Sequence, residues 1–255
     1  MSDIALALRQ VRYENRAFWR NPAAAFFTFA FPLLFMVIFN VIFAGAGSGE
    51  DGFRAADFFT PGIIVFSVIT ATFTNLAMTV AMTREQGILK RVRGTPLPAW
   101  AYLFGRIGHA VGVAALLVVI VAAFGALVYD VRVPWDRLPA LVVTLVLGAA
   151  TFSALGLALS AFIPNADAAP AIVNAAILPL LFISNVFIRI TNPPAWMDVL
   201  ANVFPVRHFA DAMLGIYDPS GTGSGFAPDH LAVLAAWAVG AVIVAVRFFS
   251  WEPRR

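Results

Sequence analysis

The chain has no cysteine and a single lysine, Lys90, and it carries so little charge that long stretches contain none at all. Without thiols it can form neither disulfides nor thiolate metal sites. Its three histidines, His109, His208 and His230, are scattered without metal-ligand spacing. Charged residues make up 12% of the sequence, against roughly 25% in an ordinary soluble domain. With 61% hydrophobic residues and a mean hydropathy of +0.85, the composition excludes a soluble globular protein and indicates an integral membrane one. No G-x-x-x-x-G-K-[ST] loop is present, since the only lysine follows Leu89, so this chain cannot hydrolyse ATP by that mechanism. Gly47-Ser-Gly-Glu-Asp-Gly52 matches G-x-G-x-x-G only formally, because no strand precedes it.

What is present is a series of charge-free runs at 21–49, 58–83, 107–129, 138–166, 168–188 and 230–246 (in the fourth and fifth, Asp167 marks the boundary). A helix crosses the hydrocarbon core in about 20 residues, so these runs predict an all-α membrane fold with six transmembrane helices in one domain. Arg247 can extend the sixth by snorkelling, with Phe248, Phe249 and Trp251 as interfacial anchors. Asp167 is placed to cap the fifth helix, with Pro170 in its first turn. Residues 3–20 predict an amphipathic helix on the membrane surface, with Ile4, Leu8, Val11 and Phe18 on one side, Arg9, Arg12, Arg16 and Arg20 on another, and Pro22 breaking it. No cleavable signal peptide is expected.

Six spans place both termini on one side. The N-terminus, the 84–93 loop with Arg106, and the C-terminus hold twelve Lys/Arg, whereas the opposite loops hold Arg54, Arg132, Arg137, Arg189 and Arg207 with nine acids. The positive-inside rule then makes the former side cytoplasmic. The external segments are an acidic Gly-rich loop at 45–57, a tight turn at 130–137 and a longer stretch at 189–229.

The most informative polar stretch is Met82-Thr-Arg-Glu-Gln-Gly-Ile-Leu-Lys-Arg-Val-Arg-Gly-Thr-Pro-Leu-Pro-Ala-Trp100, between the second and third runs. Glu85 to Val92 can form about two helical turns, ended by Gly94 and the Pro96-x-Pro98 pair. On charge alone it is a topology-fixing loop. Together with Leu103-Phe104-Gly105-Arg106 it resembles the segment joining the second and third spans of ABC-2-type transporter permeases, the membrane subunits of bacterial ABC exporters of the type V, G-subfamily-like kind. Pro179-Leu180, Phe182-Ile-Ser-Asn-Val-Phe187, Pro194-Ala-Trp196 and Phe204-Pro205 look like that family's fifth span and the short re-entrant or interfacial helices after it on the external side, with Asn185 standing where many members have glycine.

The resemblance implies that the 82–100 segment is a coupling helix. Arg84, Glu85, Gln86, Gly87, Leu89, Lys90, Arg91 and Arg93 would dock on a separate ATPase subunit, in two copies. That partner, and not this chain, would bind ATP and magnesium. The resemblance further implies a second permease protomer, identical or related, and residence in the bacterial inner membrane, with no nucleic-acid partner. In the family, spans one, two and five of two protomers are thought to enclose the substrate path. This points to Phe31, Phe35, Phe39, Ser67, Thr70, Thr74, Asn174, Leu181 and Asn185.

Taken alone, these residues also read as helix packing, with Ser, Thr and Asn bonding between helices and Phe facing lipid. If they line a path, aromatic faces with neutral polar groups suit an amphiphile, drug-like or lipid, and an absence of deep charge disfavours a small ion. A lipid-linked glycan exporter, an ATP-independent secondary transporter and an intramembrane hydrolase built on His208, Asp211 and Ser224 are the competing readings.

Overall fold

A computed structural model describes residues 3–43, 54–95, 97–190, 193–219, 221 and 223–251. The Gly47–Gly52 match, Pro96 and Glu252 lie outside these. The described residues are helical and form no strand.

Helix α1 (Asp3–Trp19) is the amphipathic helix of the sequence reading, but it turns a different face inward. Val11 and Phe18 are drawn in with Ala7, Gln10 and Glu14, while Leu8 stays exposed alongside Arg9, Arg12, Arg16 and Arg20. The inward face lies across a later helix, α6, where Gly105 and Gly108 leave room for it. A Cβ at Gly105 would collide with Gln10, and one at Gly108 would sit 2.9 Å from Val11 Cγ2. Pro22 does not simply break α1. It begins α2 (Pro22–Phe43) as a first-turn proline, and the Asn21 side chain accepts the Ala24 amide at 3.2 Å.

The central element is one continuous apolar rod, Ala55–Glu85, comprising α3 (Ala55–Ile69), a π-helical segment Thr70–Thr74 and α4 (Asn75–Glu85). It is buried on nearly every side, because α2, α6, α7 and α10 all pack on it. A helix in that position can afford hydroxyls only if they are satisfied. Thr60, Ser67 and Thr72 donate to the carbonyls of Ala56, Ile63 and Val68 at 2.7, 2.7 and 2.6 Å. These three groups bond within their own helix and not between helices.

A left-handed Gly87 (φ 69°) separates α4 from the short α5 (Ile88–Arg93), so Glu85 to Val92 is a corner and not one helix. Gly94 ends α5 as anticipated. Next come α6 (Ala99–Tyr129) and, after a 3-10 turn at Trp135–Arg137, α7 (Leu138–Ser160). The fifth run forms only a 15-residue helix, α8 (Ala169–Ile183). At about 1.5 Å per residue it is near 22 Å long, short of the roughly 30 Å hydrocarbon core. Its start is organised by Asn165, whose side chain accepts the Ala168 amide at 2.8 Å, and not by Asp167 as a cap; Pro170 does lie in the first turn. Thus five described helices are long and apolar enough to cross a membrane, and a sixth apolar helix is shorter.

The 189–229 stretch contains α9 (Ala195–Val203) and α10 (Pro205–Tyr217), ahead of α11 (Pro228–Phe248). The sequence reading expects short helices here on the external side, and of these α10 packs into the core of the chain. Phe209, Met213 and Ile216 are fully buried, and the Phe209 ring rests where a Cβ on Gly148 of α7 would be, 2.5 Å from Cε2. The carbonyls at the end of α10 are taken by Arg137. Its guanidinium donates to Gly215, Ile216 and Asp218 at 2.9, 3.1 and 3.0 Å, and also to Gly221.

A backbone-to-backbone helix crossing occurs at the π-helical segment, where a Cβ on Gly156 of α7 would lie 2.7 Å from the Phe73 carbonyl oxygen. Backbone cannot yield as a flexible side chain can. We expect Gly156→Val to destabilise the protein by about 1–3 kcal/mol, read as a lowered melting temperature in detergent. Gly112→Val, at a glycine with open space around it, should leave the melting temperature unchanged.

Candidate functional site: the α4–α5 corner and the aromatic wall

The corner at Arg84–Arg93 sorts its side chains by direction. Arg84 is 2% exposed and reaches across to the loop between α7 and α8, donating to the Ser160 carbonyl at 2.8 Å and to that of Ile163. Glu85 accepts the Ala166 amide from the same loop. Two adjacent charged residues therefore clamp the end of α4 to the α7–α8 connection. Charge-assisted bonds of this kind contribute roughly 1.5–3 kcal/mol each, and losing the Arg84 side would orphan two carbonyls.

Leu89 anchors α5 from the other direction. It is fully buried in a cluster with Leu76 and Val80 of α4, Tyr102 of α6, Leu157 of α7 and Ala241 and Ala245 of α11. Gln86, Lys90 and Arg91 are exposed, with Gly87 half-exposed between them. Of the eight residues expected to meet a partner, then, Arg84 and Leu89 are buried within the chain, Glu85 is exposed but bonded to the α7–α8 connection, and Gln86, Gly87, Lys90 and Arg91 form the outward face. Arg93 closes α5.

The residues expected along a path divide in a comparable way. Phe35 and Phe39 are packed inward. Phe35 lies 5.8 Å from Phe66 and 5.9 Å from Phe187, and Phe39 lies 5.2 Å from Phe59 and 5.6 Å from Phe187, measured between ring centroids. Rings at such separations attract beyond their simple burial, so α2, α3 and the chain after α8 share one aromatic wall. Leu181 is buried in the same core. Phe31 and Asn174 are exposed, Ser67 is buried, and Thr70 and Thr74, the first and last residues of the π-helical segment, are half-buried.

Asn185 has a conformational task. Its φ of 57° is left-handed, a region where glycine and asparagine are tolerated best, which accounts for asparagine at a place where the similar family often has glycine. Its side chain donates to Asp211 at 3.2 Å and accepts the Ile190 amide at 3.3 Å. Asp211 is also paired with Arg207 at 3.3 Å, and Arg207 with Asp198 at 2.8 Å. This network ties α8, α9 and α10 together, and only the i, i+4 spacing of Arg207 and Asp211 could have signalled part of it.

The hydrolase arrangement does not assemble as a triad would. His208 contacts His230 Nδ1 at 2.9 Å and the Asn202 carbonyl at 2.9 Å, through its two ring nitrogens, whereas a triad holds its histidine between a nucleophile and a carboxylate.

Comparison with known proteins adds the following. Residues 8–217 match the family described as ABC-2 type transporter. The chain is 27% identical over 195 residues to the inner membrane transport permease YadH of Escherichia coli (strain K12), covering 73% of this chain and 75% of that one. It is 27% identical over 160 residues to the probable multidrug ABC transporter permease YbhR of the same organism, covering 63% and 43%. To the daunorubicin resistance ABC transporter permease protein DrrB1 of Streptomyces coeruleorubidus it is 28% identical over 190 residues, covering 71% and 64%.

The inward and outward halves of the corner should respond differently to substitution. Arg84→Met should lower the melting temperature substantially, with a loss of about 3 kcal/mol or more. Leu89→Ala should cost roughly 2–4 kcal/mol, and Gln86→Ala should stay within about 0.5 kcal/mol. Equal melting temperatures for all three variants would contradict the division.

Proposed function

Since the chain belongs to the ABC-2 type transporter family, we propose that it is the permease subunit of an ATP-driven exporter, moving a drug-like or lipid amphiphile outward with a separate ATPase. It is a multi-pass membrane protein, and its relatives include permeases named for the inner membrane, for multidrug transport and for daunorubicin resistance. The single observation carrying the reading is the corner, with Gln86, Gly87, Lys90 and Arg91 outward while Leu89, Arg84 and Glu85 grip the spans.

In this reading α5 rests in a cleft of the ATPase. Lys90 and Arg91 meet carboxylates or carbonyls there, and half-exposed Gly87 permits a close backbone approach. ATP and magnesium bind in the partner. When two ATPase copies close, force on α5 enters α4, α6, α7 and α11 through the Leu89 cluster, and the α7–α8 loop through Arg84 and Glu85. Two permease protomers, identical or related, then exchange inward-closed and outward-open arrangements, and the substrate shifts that equilibrium only by its differential affinity for the two.

We also take α8 as a sixth crossing, completed by the residues after Ser184. Without it, the exposed arginines of α1 and Arg247 would lie on opposite sides, against the positive-inside rule. With it, both termini and α5 are cytoplasmic. For the substrate, the packed aromatic wall and satisfied hydroxyls favour an amphiphile. A lipid-linked glycan is the alternative, because no polar groove among the described residues argues for it.

Three measurements test this. Reversing charge with Lys90→Glu and Arg91→Glu should leave the melting temperature unchanged while lowering substrate-stimulated ATP hydrolysis of the co-purified complex at least ~10-fold. Retained stimulation would remove the docking role, and gradient-driven uptake by the isolated chain would instead establish a secondary transporter. Single cysteines at Arg91 and Trp251 should be labelled only from the inside of intact vesicles; labelling from outside would reverse the orientation. Phe31→Ala and Asn174→Leu should alter the rank order of exported compounds, whereas uniform scaling of all compounds would assign these residues to packing.

A further inference from the structure

Where α1 lies across α4 and α6, the helices enclose a cavity of about 180 Å³ lined by Glu14, Phe18, Asn75, Thr79, Arg106 and His109. It is separate from the aromatic wall and touches the Leu89 cluster only through Leu76 and Tyr102. Arg106 is 8% exposed, an unusual state for a guanidinium. Its Nε donates to the Tyr102 hydroxyl at 2.6 Å and faces Glu14 Oε1 at 3.6 Å, and its Cζ stands 5.1 Å from the Tyr102 ring centroid. These contacts use one edge of the group. Nη1 and Nη2 have no partner among the described residues. Glu14 is in the matching state, since Oε1 accepts Gln10 at 3.1 Å and faces Arg106, while Oε2 has no partner among the described residues.

A buried ion pair is ordinarily closed by further hydrogen bonds, because the desolvation of both charges has to be offset. Here the outer atoms of both ions remain available beside a polar cavity. The cavity therefore offers a two-donor fork suited to a phosphate, a carboxylate oxygen suited to an ammonium, and neutral amide and hydroxyl groups on the α4 wall. The Phe18 ring, 5.3 Å from His109, supplies an apolar side.

Position narrows the source of such a ligand. Arg106 is the last charged residue before the charge-free run 107–129, so the cavity sits where hydrocarbon gives way to headgroups. The outer face of α1 exposes Arg9, Arg12, Arg16 and Arg20 with Trp19, the surface expected of a helix lying among lipid headgroups.

We propose that this cavity binds the headgroup of a zwitterionic, amine-bearing phospholipid. The phosphate sits on Arg106 Nη1 and Nη2, and the ammonium on Glu14 Oε2. A lipid held here would staple α1 to α4 and α6, making the seating of the N-terminal helix dependent on bilayer composition. The site is independent of what the protein transports.

The test is a melting-temperature titration of the detergent-solubilised full chain with short-chain phosphatidylethanolamine, short-chain phosphatidylglycerol, inorganic phosphate and free ethanolamine. Phosphatidylethanolamine should raise the melting temperature by about 5–10 °C at ~100 times its dissociation constant, clearly more than phosphatidylglycerol, with ethanolamine inert. Glu14→Gln should bring the two lipids level, and Arg106→Gln should abolish both responses. Should Arg106→Gln not fold, Thr79→Leu, which fills the cavity and keeps both charges, must remove the lipid response by itself. A phosphate response equal to that of the lipid would identify a free-anion site and overturn the proposal. So would equal responses of the wild type to both lipids, or unchanged lipid preference in Glu14→Gln and Thr79→Leu.

Discussion

Backbone carbonyls released where a helix ends inside a water-poor environment must find donors within the protein, and this requirement shapes the molecule. Arg84 and Arg137 answer it in the same manner at different places. Arg84 supplies donors to Ser160 and Ile163 where α7 stops, and Arg137 supplies them to Gly215, Ile216 and Asp218 where α10 stops. A guanidinium is suited to the task because it offers five N–H donors in a fixed plane and stays charged. Each arginine also joins elements more than 70 residues apart in sequence, so satisfying a helix end and fixing the tertiary arrangement are one event. The same need explains why hydroxyls on α3 turn back onto their own helix, since no water is available to receive them.

This view changes what the polar segment between α4 and α6 is for. Its charges are not one patch. Arg84 is a buried fastener and Glu85 an exposed one bonded to the α7–α8 connection, whereas Lys90 and Arg91 face outward, beyond a left-handed glycine that redirects the chain. A short helix of six residues could not hold its own shape in isolation, because helix nucleation is unfavourable at that length. It is held by Leu89 below and by the clamp beside it. The six-residue helix is therefore fixed to the spans by its buried side and not by its own length.

Much of this architecture could be read from residue pattern. The charge-free runs located every long apolar helix, the arginine spacing located α1, and Gly94 marked the end of α5. What could not be read was direction and depth. Arg84 and Lys90 have similar side chains in one short polar stretch, and nothing local says that one is buried and the other exposed. The stretch after Phe204 carries Arg207, His208 and Asp211 and reads as a short external helix, yet the Phe209, Met213 and Ile216 face of α10 places it in the core. Periodicity showed that face only weakly, because the charged residues on the opposite side satisfy each other. For α8 an apolar run of 21 residues at 168–188 gives a helix of 15 residues, with the left-handed Asn185 just beyond its end.

The aromatic wall bears on whether one chain could carry a substrate by itself. Phe35, Phe39, Phe59, Phe66 and Phe187 fill the space between α2, α3 and the chain after α8, with rings in mutual contact. Close-packed rings leave no passage, so within a single chain this stripe is a wall and not a channel. Phe31 continues the series at its exposed end, 4.7 Å from Phe35 between ring centroids, and Asn174 is exposed on α8. Polar and aromatic groups of that kind can form a path only against a surface supplied from beyond the chain. Because α2 is joined to α3 by ring contacts, and α3 runs through the π-helical segment into α4 and the corner, the face carrying Phe31 and the corner belong to one packed series of side chains along a single continuous helix.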